Sequence, residues 1–130
     1  MPIEAMFLEL QEMDYFVRYK TYISGEVTHL FIAHPKSIEL FKRYLKVLIM
    51  DYTYKTNRFN MPLLNIIGTT VFGTSFYVGF AFIAGEGNGD YLWAIKELKT
   101  LMYGEDISDP AMVVTDRELA LINALKEIFP

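Results

Sequence analysis

The sequence predicts an α/β fold, a mixed sheet flanked by helices and preceded by a β-hairpin. Three observations predict it. Short apolar, β-branched runs recur at 47–54, 62–72, 75–84 and 111–115, and the first three are separated only by tight polar turns. Amphipathic helical patterns follow the third and the fourth runs. The chain has 130 residues with 52% apolar side chains, enough to bury roughly two thirds of its unfolded surface in one core.

In chain order, residues 1–13 carry Ile3, Met6, Phe7 and Leu10 at helical spacing. Tyr15 to Ile23 and Val27 to Ala33 read as a hairpin around the Ser24-Gly25-Glu26 turn. Pro35 opens a short helix to about Tyr44, in the first-turn position that tolerates its missing N–H. Val47-Leu48-Ile49-Met50 begins a strand that ends at or passes through Asp51. Lys55 to Asn60 is turn-like. Two strands joined at Gly73-Thr74 follow, then the glycine-rich loop 85–89. From Asp90 to Tyr103, Leu92, Ile95, Leu98 and Met102 share one helical face. Asp90 or Asn88 suits its start and Gly104 its end. A last strand, 111–115, leads into a helix from Arg117 to about Phe129, where Thr115 and Glu118 have capping-box spacing.

Three strands joined by tight turns lie antiparallel, and the helix after the third lets the chain cross over so that the fourth pairs in parallel with the first. The expected order is third, second, first, fourth. This is the beginning of a ribonuclease-H-like sheet. It brings together two acids far apart in sequence, Asp51 and Asp116, each directly after an apolar strand. Carboxylates on neighbouring strands can hold a divalent metal for phosphoryl chemistry. The plainer readings are a polar strand exit for Asp51 and a helix-dipole partner for Asp116.

Composition sets limits. No cysteine is present, so a disulfide framework and a cysteine zinc site are excluded. The net charge of -4 leaves only local basic clusters, Lys42/Arg43/Lys46 and Lys55/Arg58, of which Lys55 and Arg58 could touch DNA phosphates. The 85–89 loop lacks the Lys-Ser/Thr of a phosphate loop. Glu86 reads as structural, Trp93 as core packing, and the His29/His34 spacing as no metal signature. Neither a membrane span nor a signal peptide is indicated.

Asp51-Tyr52-Thr53-Tyr54-Lys55-Thr56-Asn57 with Met61-Pro62-Leu63-Leu64, then Phe76 to Phe82, Glu86 and Tyr91-Leu92-Trp93, resembles the MULE (Mutator-like element) transposase domain. Val114-Thr115-Asp116-Arg117-Glu118-Leu119-Ala120-Leu121, Ala124 and Phe129-Pro130 continue the likeness, which covers roughly residues 28–130. The resemblance implies an N-terminal helix/hairpin extension over 1–44 and a partial ribonuclease-H-like domain over 45–130. It implies a DDE site, with Asp51 and Asp116 as catalytic and metal-binding acids holding Mg²⁺ or Mn²⁺, and DNA cleavage and transfer at transposon ends in the nucleus. In the family a glutamate from a later segment is the third acid, so these 130 residues are expected to be inactive alone. The family also admits a non-catalytic DNA- or protein-binding role, as in plant light-signalling transcription factors. Without a fifth strand the fourth becomes an open edge, which predicts self-association.

Overall fold

The computed structural model describes residues 3–44, 47–53, 63–70, 72–83, 88–110, 112–115 and 119–129. The elements run α1 (Ile3–Glu12), β1 (Phe16–Thr21), β2 (Val27–Ala33), α2 (Pro35–Tyr44), β3 (Val47–Thr53), β4 (Leu63–Thr69), β5 (Ser75–Ile83), α3 (Asn88–Gly104), β6 (Met112–Thr115) and α4 (Leu119–Ile128). Six strands form one mixed sheet in the order β1-β2-β5-β4-β3-β6. The expected order of the last four is therefore found. The hairpin, read from sequence as an extension, joins the same sheet by antiparallel pairing of β2 with β5.

Both tight turns use the same device. Tyr22 and Thr70 each accept a bond from the glycine three residues on and donate to the residue after it. Gly25 and Gly73 sit at φ 91 and 83, where a side chain would be strained.

Helix α3 ends at Gly104, as expected, and α1 and α3 are both closed by an aspartate beyond the last helical residue. Asp14 and Asp106 take the left-handed conformation, at φ 67 and 57. Behind them Tyr15 N bonds Leu10 O at 3.0 Å and Ile107 N bonds Met102 O at 2.8 Å. Each is a Schellman closure, with a short polar side chain standing where glycine is usual. Ile107, buried at 9% exposure, supplies the apolar contact that fixes the second one.

Register assigns the faces. Leu48, Met50, Leu64, Ile66, Ala81, Ile83 and Phe31 fall on one side of the sheet and are fully or almost fully buried. They share one core cluster with Ile38 and Phe41 of α2, Tyr91, Ile95 and Leu98 of α3, and Leu121 and Ala124 of α4. Three helices thus cover this face. A β-bulge between Ile66 and Ile67 accommodates Val78. It keeps both Phe76 and Gly79 on the covered face despite their odd spacing. Among the described helices the opposite face carries α1 alone, at one end, with the Phe7 ring tilted at 40° against Tyr19, 4.6 Å between ring centroids. Lys99 of α3 holds the end of α4, donating to Ile128 O at 3.0 Å from beneath the Phe129 ring. A cation there also answers the helix dipole.

Glu97 lies between α3 and β1, where its carboxyl is pushed above its ordinary 4.5 by burial, partly countered by Arg18, whose Nε is 3.8 Å away. A raised carboxyl stabilises the fold fully below its unfolded value, and that contribution is lost as pH climbs through the folded value. Glu97→Gln is therefore expected to match wild type at low pH. It should gain on wild type as pH rises above about 4.5, in urea unfolding followed at a series of pH values. A constant difference at every pH would show that burial is not what acts on Glu97.

Candidate functional site

β3 is the centre of the candidate site because it is flanked by β4 on one side and β6 on the other. Its pairing with β6 is parallel, with Val47 opposite Met112, Leu48 opposite Val113, Ile49 opposite Val114 and Met50 opposite Thr115. The helical crossover α3 makes this possible, since parallel neighbours cannot be joined by a tight turn. Asp51 is the next residue on β3 after Met50. Asp116, the second predicted acid, lies outside the described residues, as do Lys55, Arg58, Glu86 and Glu118.

Asp51 stands opposite Asn65 in the antiparallel ladder with β4, and Asn65 Nδ2 donates a long 3.5 Å bond to the Asp51 carbonyl. Because Met50 points into the core, alternation turns the Asp51 side chain to the opposite face, where it is exposed. No cation among the described residues pairs with it. Among the described residues no group of three or more His, Asp or Glu could hold a metal. A cavity of about 320 Å³ borders β6 on the helix-covered side, lined by Val113, Thr115, Ile122, Leu125 and Phe129, and is separate from Asp51. Thr115 Oγ1 is buried and makes no hydrogen bond to a described residue.

Of the predicted basic residues, Lys42 and Arg43 are described and both face acids. Lys42 pairs with Glu105 at 3.3 Å and Arg43 with Glu39 at 3.6 Å. A free cationic patch is therefore not formed by these two.

Sequence reasoning missed one buried polar constellation. His29 on β2 is 7% exposed. Its Nε2 is 2.7 Å from Asp90 Oδ1 in the first turn of α3, and its Nδ1 is 2.9 Å from Thr28 Oγ1. An ionised carboxylate only accepts, so Nε2 carries the proton that it shares with Asp90. Trp93, read from sequence as core packing, leans on this imidazole at 5.2 Å and packs against the core. The dyad ties the hairpin to the crossover helix and does not adjoin Asp51. The sequence offered one signal, an acid at the start of the helix, which capping already explained.

The sequence profile of the MULE transposase domain matches residues 47–130, the stretch that holds both paired strands of the site. The chain belongs to the MULE transposase domain family. Among curated proteins it is 27% identical over 104 residues to Protein FAR1-RELATED SEQUENCE 5 of Arabidopsis thaliana, covering 80% of this chain and 13% of that protein. It is 28% identical over 102 residues to Protein FAR-RED IMPAIRED RESPONSE 1 of the same plant, covering 78% and 12%. It is also 32% identical over 87 residues to PKS-NRPS hybrid synthetase cheA of Chaetomium globosum, covering 67% and 2%. The chain thus spans only a small part of the length of each relative. No helix among the described residues is long and apolar enough to cross a membrane.

Proposed function

We propose that this chain is part of a ribonuclease-H-like DDE catalytic domain, whose work is metal-dependent cleavage and transfer of DNA strands in transposition in the nucleus. The observation that carries the reading is the parallel seam of β3 and β6, with Met50 opposite Thr115. Asp51 and Asp116 are the residues that follow these two in sequence. Membership of the MULE family supports it. Asp51 and Asp116 would hold the ion, and Mg²⁺ or Mn²⁺ bound there supplies Lewis-acid charge to a phosphodiester. The chain's own part is to fix hard oxygen donors on a rigid sheet. Lys55 and Arg58 are proposed to meet the DNA backbone. The family's third acid is assigned to no residue of this sequence, so metal binding without turnover is expected of these 130 residues.

A second reading is a transposase-derived DNA- or protein-binding regulator without catalysis. The name of one relative, FAR-RED IMPAIRED RESPONSE 1, favours it. Titration calorimetry with Mn²⁺ separates the two. The expected result is saturable heat in wild type that disappears in both Asp51→Asn and Asp116→Asn. If wild type takes up no Mn²⁺, the two-acid site is rejected for this chain and the regulator reading stands.

A further inference from the structure

Tight turns are mostly built from glycine, asparagine, aspartate, serine and proline. The turn between β1 and β2 departs from this at two adjacent positions. Ile23 is 107% exposed, the most of any large apolar side chain among the described residues, and its neighbour Tyr22 is 68% exposed. The tip that carries them is well fastened. Tyr22 N donates to Glu26 O and Gly25 N to Tyr22 O, both at 2.9 Å. The stem is tied to α3 by His29–Asp90 at 2.7 Å and Arg18–Glu97 at 3.8 Å. Register puts the tip at the same end of the sheet as Asp51. One transverse row runs Asp51, Asn65, Phe80, Ile32, Val17. From Val17, β1 continues to the turn in the direction in which β3 continues from Asp51 to Thr53. A rise of about 3.4 Å per residue and a spacing of about 4.8 Å per strand place the tip roughly 25 Å from Asp51.

We infer that this turn is a wedge for duplex DNA, in which Ile23 enters a base step and Tyr22 packs its ring against the base so exposed. The inference rests on the proposed DNA reading of the Asp51 end and adds a second contact to it, about seven base pairs away at about 3.4 Å each. Apolar side chains of this size unstack a base step and bend the duplex. Burying an isoleucine that otherwise stands in water offsets that cost. A fastened tip also loses little conformational entropy on insertion. Charge is matched as well. Although the whole chain carries -4, the hairpin from 16 to 33 holds Arg18 and Lys20 against one acid, Glu26. Lys20, exposed on the stem, makes no ion pair with a described residue. Base pairs offer flat apolar faces beside an anionic backbone, which fits an apolar tip above a lysine. A duplex is favoured over other partners because the tip shares its end of the sheet with Asp51, where the proposed chemistry meets DNA.

The test uses the 130-residue chain and a short DNA duplex carrying 2-aminopurine, whose fluorescence rises when its neighbours unstack. Wild type is expected to bind the duplex and raise that fluorescence. Ile23→Ser should abolish the rise. Tyr22→Ser should weaken duplex binding about tenfold, within what one lost base–aromatic contact gives. Both positions are exposed, so the circular dichroism of the fold should not change. Leu8→Ser, at a 60% exposed position on α1, should leave both readings as in wild type. Asp51→Asn should remove the Mn²⁺ heat and keep the fluorescence that depends on Ile23. Mn²⁺ uptake without any fluorescence rise overturns the wedge and spares the metal site. A rise in a chain that takes up no Mn²⁺ rejects the metal site and leaves the wedge standing. The inference is also overturned by no duplex binding, by a rise that survives Ile23→Ser, or by Ile23-dependent capture of anionic phospholipid vesicles in place of duplex.

Discussion

Replacing Phe31 with alanine is expected to destabilise the fold by about 3–5 kcal/mol, a large share of the roughly 5–15 kcal/mol that holds a typical domain together. Phe31 is completely buried on β2. Its ring meets Phe16 edge-on, with centroids 5.7 Å apart at 90°. A ring atom also lies 3.5 Å from where a Cβ of Gly79 would be. Alanine leaves a void in the core on the helix-covered face of the sheet and takes away the aromatic partner of Phe16. The backbone cannot easily close over it, because Gly79 already lies against the main chain of β2, its ideal Cβ position 3.0 Å from Ile32 O. Equilibrium denaturation in urea gives the number. A loss below about 1 kcal/mol would mean that the hairpin repacks freely and that Phe31 does not anchor it to the rest of the sheet.

The second large effect is expected at the His29–Asp90 dyad. Asp90→Leu removes the acceptor from a buried imidazole N–H, and a stranded buried donor costs about 1–3 kcal/mol. Asp90→Asn keeps an amide oxygen at the same place and should cost less. His29→Leu with Asp90→Leu removes both partners and should be milder than the sum of the single changes. A double-mutant cycle on thermal or urea unfolding reads the coupling directly. Zero coupling would show that the 2.7 Å contact contributes nothing to docking α3 against β2.

Much of this architecture was legible in the sequence, for identifiable reasons. The runs at Val47–Met50 and Ser75–Ile83 are short and rich in β-branched or aromatic residues, and the turns at Gly25 and Gly73 are chemically explicit. Tight turns force antiparallel neighbours and an intervening helix permits a parallel one, so the order from β5 to β6 followed without any coordinates. Two things were hidden. Asp14 and Asp106 take the left-handed conformation that glycine usually takes beyond a helix end, although Gly104 does mark the last residue of α3. The pairing of β2 with β5 was also invisible, because no turn links those strands and register between distant segments leaves no local mark. The candidate site was half legible. The apolar run before Asp51 foretold a carboxylate leaving the core. Its orientation, opposite Asn65 and away from the helices, depended on a register that only the folded sheet fixes. The His29–Asp90 contact was illegible because its partners are remote in sequence and each already had an ordinary local explanation.

The seam between β3 and β6 is only four residues long on the β6 side, and among the described strands β6 has a neighbour on one side alone. Closing it requires the whole of α3 to be in place first, a long loop entropically. It is therefore expected to be late to form and early to fray, so that local opening exposes it well below the free energy of global unfolding. A ligand that grips both strands would then reveal itself as slowed amide exchange at Val113 and Thr115, together with the rise in melting temperature that binding to the native state brings.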